Sequence, residues 1–209
     1  MAPDRRIALV AFAVAAAVGL HAASIAAPAT PADAKISLAT EEAMGNPKAK
    51  VTLIEYGSAA CPHCARVNNE VLPELKKNYI DTGKVRYVFR EMLTDPVPFA
   101  GTAFMMARCG GDKNYFSILD DVFHQQEAIY ESGDLPGGLM KIGAKYGLDK
   151  DKLNACMDDK AVQGVNDRNA QADKDGVEAS PTFIIGDTKL QGEQTYDVLA
   201  QAIDKQLMK

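Results

Sequence analysis

Cys61 and Cys64 stand with only Pro62 and His63 between them, a spacing that points to chemistry on sulfur. A short apolar run, Val51-Thr-Leu-Ile-Glu55-Tyr, ends just before them. Beyond them, apolar residues recur at Val67, Val71, Leu72, Leu75 and Tyr79, among Arg66, Asn68, Asn69, Glu70, Glu74 and Lys76. The first pattern is a strand and the second a helix, so the thiols fall at the junction. The start of a helix offers unpaired N–H groups and the positive end of the helix dipole, and both stabilise a thiolate. His63 can add positive charge, and Pro62 is harmless because its missing N–H would have had no partner. The stretch reads as a redox-active dithiol.

Two other uses of the same residues are weighed against this one. A zinc site needs about four ligands, in paired units. The other candidates, Cys109, Cys156, His21 and His124, are single and widely spread, so no metal is expected, and no cofactor. A passive staple is the second alternative, and a two-residue Pro-His filling is an awkward place for one.

Composition sets the frame. The chain has 209 residues, enough for one sizeable core or a core with a large insertion. Its formal charge of −5 gives no reason to expect nucleic-acid binding. At the N-terminus Asp4-Arg5-Arg6 precedes Ile7–Leu20, a run without charge or hydroxyl, and small residues follow through Ala29. This is the order of a secretory signal over residues 1–26, with the cut between 24 and 29 at Ser24-x-Ala26 or Ala27-x-Ala29. An uncleaved anchor is the alternative, since Ile7–Ala27 is long enough to span. Residues 27–39, rich in Ala, Pro and Thr, read as a flexible leader. The four cysteines all lie beyond it.

The elements that must position the dithiol follow in order. Residues 41–46 are a helical turn or a bend. A strand over 50–56 leads to a helix over 62–80, with a kink near 70–72 because Pro73 sits inside it. Val85, Tyr87 and Phe89 alternate with Arg86, Val88 and Arg90, a strand with one dominant buried face. From Pro96 the pattern is helical only. Pro98 suits a first helical position, Asp112 can cap the second helix and Asp149 the fourth, and a fifth runs over about 160–174. Strand character returns at Thr182-Phe-Ile-Ile185, breaks at Gly186-Asp187, and resumes over 188–190 before a last helix capped by Thr195. The strands on either side of the helical block must complete one sheet, since neither set could bury a face alone. The fold class is α/β, with residues 40–95 and 175–209 enclosing a helical domain at 96–174.

These residues resemble the DsbA-type thiol oxidases, thioredoxin-like proteins with an inserted all-helical domain. The resemblance rests on Cys61-Pro62-His63-Cys64 after a strand containing Glu55, and on Ser180-Pro181-Thr182-Phe183 before the last hairpin. It covers roughly residues 40–209. It implies that Pro181 is cis and lies across from Cys61, where Ser180 and Pro181 offer backbone groups to an extended substrate. The residues alone leave room for an ordinary strand-opening proline. Relatives often carry Val or Thr where this chain has Ser180, whose hydroxyl could reach the thiolate.

The resemblance also implies roles. Cys61 is the low-pKa thiol that carries the mixed disulfide, Cys64 resolves it, and His63 stabilises the Cys61 thiolate by hydrogen bond or charge. Glu55 mediates protons for Cys64, or else is a half-exposed strand carboxylate. Cys109 and Cys156, on the apolar faces of two inserted helices, form the one pair left once the redox pair is set apart. Some relatives carry a second disulfide in this domain, and two buried free thiols are the alternative. Implied partners are unfolded or reduced exported proteins and a membrane-bound, DsbB-like quinone-linked reoxidase, in the periplasm. A monomer is expected, because the leader shows no heptads. Two further functions stay open: an isomerase or reductase of the same fold, and a non-catalytic binding module.

Overall fold

A computed structural model describes residues 41–209. The expected signal peptide at 1–26 and leader at 27–39 lie outside the described residues. Among those described, five strands form one sheet: β1 Glu42–Met44, β2 Val51–Gly57, β3 Val85–Glu91, β4 Thr182–Ile185 and β5 Thr188–Gln191. Their order is β1-β3-β2-β4-β5. The pair β2–β3 is parallel, and every other neighbouring pair is antiparallel. Parallel neighbours need a crossover, and helix α1 supplies it.

Helix α1 begins as α-helix over Pro62–Arg66, widens to a π turn over Val67–Val71, continues as α-helix over Leu72–Leu75 and ends in a second π turn over Lys76–Ile80. Pro73 cannot donate a backbone hydrogen bond, and the kink expected near 70–72 is met by that first π turn. The Leu72 N–H reaches back five residues to the Val67 carbonyl. The buried side of α1 is Val67, Leu75, Tyr79 and Ile80. They join Leu53, Tyr87, Phe89, Phe183 and Ile185 from one face of the sheet in the main core.

Five helices stand between β3 and β4: α2 Val97–Cys109, α3 Tyr115–Ser132, α4 Leu135–Lys145, α5 Lys150–Cys156 and α6 Asp159–Lys174. A last helix, α7 Tyr196–Leu207, follows the hairpin. Side chains of Asp134, Asp149, Asp158 and Thr195 accept N–H groups at the starts of α4, α5, α6 and α7. Asp112 does not cap α3. Gly111, at φ +74°, lets the chain take an extra turn in which Asn114 N–H donates to the Gly111 carbonyl at 2.9 Å. The helix therefore starts three residues later than Asp112. Pro98 is the second helical residue, because Val97 opens α2. Among the described residues no helix is long and apolar enough to cross a membrane.

Two readings of the strands need correction. Residues 41–46, expected as a helical turn or bend, contain β1, whose Met44 pairs with Tyr87. The carboxylates that give the segment a solvent-facing look are taken up by arginines from elsewhere. Arg90 Nε lies 2.5 Å from Glu41 and Arg108 Nη1 lies 2.9 Å from Glu42. Strand β3 is covered on both faces. Val88 packs with Ile54, Tyr56, Ala172 of α6 and Val177 in a second, smaller core. Arg90 is buried on this side because Glu41 and Asp175 pair with it.

Candidate active site

Strand β2 delivers the chain to the dithiol through Gly57 and Ser58. A side chain at 57 would drive a Cβ to 2.6 Å from the Phe89 ring, so glycine allows the close approach. Ser58 is fully buried and turns the chain: the Cys61 N–H donates to its carbonyl at 3.1 Å, and its hydroxyl accepts from the Ala60 N–H at 3.2 Å. Cys61 keeps extended backbone (φ −84°, ψ 120°), and Pro62 is the first helical residue. Cys61 is 8% exposed and Cys64 0%, so only the first sulfur meets solvent.

The inserted helices hold this loop from the far side. Gln126 of α3 donates to the Ala59 carbonyl at 2.7 Å, and Tyr130, one turn later, donates its hydroxyl to the Ala60 carbonyl at 3.0 Å. Neither residue stands out in the sequence. Their spacing of four on one helix is the single available signal, and it is common on any amphipathic helix.

The third wall is the segment before β4. The Ser180–Pro181 bond is cis, and this segment lies against both sulfurs. The Cys61 thiol donates to the Ser180 carbonyl at 3.4 Å, while the Ser180 Oγ lies 3.0 Å from Cys64 Sγ. Cys64 Sγ also accepts the Ser58 N–H at 3.4 Å.

The two thiols are pushed in opposite directions. Cys61 falls from the ordinary thiol value to about 5, chiefly because the Cys64 thiol donates to it. Backbone N–H groups of Cys64 and His63 and the Ser180 hydroxyl add to this, while burial opposes it. Cys64 is pushed well up by burial first, then by its bond to Cys61 and by the nearby charges of Glu55 and Cys61. Glu55 is itself buried, and burial lifts its carboxyl to about 7. The Tyr87 hydroxyl donates to it at 2.8 Å and partly offsets that rise. The half-exposed alternative for Glu55 is not what the structure shows.

His63 requires a correction. His63 is expected to stabilise the Cys61 thiolate by hydrogen bond or charge; the hydrogen bond is not what the structure shows at Nδ1, which lies 2.7 Å from Glu193 and 2.5 Å from Arg66 Nη2. What reaches Cys61 from His63 is its backbone N–H. A carboxylate from beyond β5 offers the ring a stronger contact than a buried sulfur does. Glu193 was not visible as a site residue, since it is 130 positions away in sequence. Cys109 and Cys156 are joined in a disulfide between the ends of α2 and α5. Cys156 is exposed, not on an apolar face, because it is the last residue of a helix that buries only Leu153.

One accessible, acidic thiol backed by one buried, basic thiol is chemically suited to thiol–disulfide exchange. Low pKa favours leaving from Cys61, and depth confines Cys64 to the intramolecular step. A family model described as thioredoxin matches residues 37–205. The chain belongs to the thioredoxin family. Within that family it is related to the DsbA-like proteins. The crystal structure of alpha-DsbA1 from Wolbachia pipientis superposes with a TM-score of 0.76 at 29% identity, covering 86% of this chain and 96% of that one. BdbD from Bacillus subtilis, at 20% identity and a TM-score of 0.70, covers 83% of this chain and 96% of its own and shares the fold. A Rickettsia conorii protein named as a protein-disulfide oxidoreductase is 32% identical over 167 residues, 78% of this chain. This chain spans about 59% of that relative's length. The thioredoxin-like sheet with inserted helices is thus the observed fold class of this thioredoxin-family protein.

Proposed function

We propose that this protein is a thiol–disulfide oxidase that passes the Cys61–Cys64 disulfide to cysteine pairs of exported proteins. The observation that carries this reading is the split between the two thiols, with Cys61 lowered to about 5 and Cys64 raised. A substrate thiolate attacks Cys61 Sγ and forms a mixed disulfide, and the Cys64 sulfur leaves with the electron pair. Cys64 is a poor leaving group as a bare thiolate, so a proton from Glu55, whose carboxyl titrates near neutrality, assists it. The substrate's second thiolate then attacks its own sulfur in the mixed disulfide, and Cys61 leaves as a stable thiolate. Two electrons pass from substrate to protein: the substrate gains a disulfide and the protein becomes a dithiol.

Ser180 and Pro181 line the side of Cys61 where an extended substrate would lie. The Cys109–Cys156 disulfide and the basic-apolar-small order of residues 1–26 support export to an oxidising compartment, the periplasm. There a membrane-bound quinone-linked partner would return the dithiol to the disulfide, and the protein would act as a monomer. The test uses a reduced, unfolded two-cysteine peptide. Oxidised parent protein should form its disulfide stoichiometrically; with the oxidised form of the same peptide, whose own disulfide supplies the oxidising equivalents, C64A should accumulate a mixed disulfide on Cys61 and C61A should not. A mixed disulfide that forms on Cys64 in C61A as fast as on Cys61 in C64A would overturn the assignment.

A further inference from the structure

Glu193 links two sides of the opening around Cys61 at its outer edge. On one side are His63 and Arg66, on the exposed edge of the first turn of α1. Arg66 reaches Glu193 with a fork, Nε at 3.0 Å from both oxygens and Nη2 at 2.7 Å from Oε2. His63 Nδ1 sits 2.7 Å from that same Oε2. On the other side is the Ser180–Pro181 segment. Gly192, immediately before Glu193, donates its N–H to the Pro181 carbonyl at 2.8 Å. Gly192 has φ +81°, a backbone that a side chain would strain, and the Gln194 amide closes the turn onto the carbonyls of Gln191 and Gly192. The backbone under Glu193 is therefore held while its carboxylate spans the gap.

His63 Nδ1 has a single role at a time. If it bears a proton it donates to Glu193, and if it bears a lone pair it accepts from Arg66. Either way this nitrogen is committed to the Arg66–Glu193 pair.

We propose that Glu193 is a positioning residue that holds His63 to itself and so limits how strongly the Cys61–Cys64 disulfide oxidises. The inference rests on exchange at Cys61 and adds a setting for its equilibrium. Removing the carboxylate frees the imidazole to turn toward Cys61. That change favours the thiolate, hence the dithiol, hence transfer of the disulfide to a partner.

The test measures the exchange of protein disulfide plus two glutathione for protein dithiol plus glutathione disulfide. It compares parent, E193Q, E193A, H63A and H63A/E193Q. The constant should rise at least about threefold in E193Q and E193A, the size expected of an exposed charged contact, and Cys61 should ionise at lower pH in both. In the H63A background the effect of E193Q should shrink to less than half on a logarithmic scale. An unchanged constant in E193Q and E193A, or an undiminished rise in H63A/E193Q, would overturn the role given to Glu193. Those outcomes differ from failure of the exchange reading itself, in which the parent would not equilibrate with glutathione at all.

Discussion

The Ser180 hydroxyl oxygen lies 3.0 Å from the Cys64 sulfur, so the residue before the cis proline meets the buried thiol as well as the reactive one. The hydroxyl favours the ionised form of both sulfurs. Replacing it removes a donor from the dithiol and leaves the carbonyl of residue 180 in place. Ser180→Ala should raise the Cys61 pKa by roughly one to two pH units, the scale of one lost hydrogen bond to a charged group. Thiolate absorbance followed against pH reads this directly. An unchanged midpoint would show the hydroxyl to be idle.

Glu55 gives a prediction about stability and pH. Its carboxyl is lifted from the ordinary value to about 7, so the folded state holds a proton that the unfolded state has released. Stability therefore falls as pH rises from the unfolded pKa through the folded one, by about 3 kcal/mol in total. Glu55→Gln should remove that slope. The variant should gain on the parent between pH 5 and pH 8 in denaturant melts, while transferring its disulfide more slowly near neutrality because Cys64 loses its proton donor. Parallel stability curves for the two proteins would contradict the burial argument.

The Cys109–Cys156 link closes a loop with a sequence separation of 47 residues. On the chain-entropy account a cross-link of this span restrains the unfolded chain by about 4 kcal/mol. The double variant C109A/C156A should lose stability on that scale and keep its exchange chemistry, since the redox pair lies in another part of the molecule. Chemical denaturation of the variant, set beside its glutathione equilibrium, separates the two effects.

Much of this site was legible because its parts are local. Cys61 and Cys64 announce themselves at a strand-to-helix junction, and Thr182–Ile185 reads as a strand by type. Long-range pairing is what the sequence hides. Glu41 and Glu42 look like solvated residues until Arg90 and Arg108 arrive from β3 and α2 to pair with them. That is why β1 could not be read as a strand. Gln126 and Tyr130 look like ordinary polar positions on α3, and their work on the carbonyls of Ala59 and Ala60 depends on how α3 lies against the loop. His63 misled for a related reason: its neighbours in sequence are sulfurs, but its partner in space is Glu193.

The central claim is that the fold stabilises the Cys61 thiolate, and the relative stability of the two redox forms tests it most directly. The Cys61–Cys64 cross-link restrains the unfolded chain by about 2 kcal/mol, because it closes only a four-residue loop. Against it stands the thiolate of the reduced form. Its pKa of about 5 lies below the unfolded value, so its contribution is complete above the unfolded pKa and is lost as pH falls through the folded one. At pH 7 that contribution is about 3 kcal/mol, and at pH 5 it is below about 0.5 kcal/mol. Denaturant melts of both forms, with Cys109 and Cys156 left linked, should find the reduced form the more stable at pH 7 and the oxidised form the more stable at pH 5. An oxidised form that is the more stable at both pH values would contradict the account.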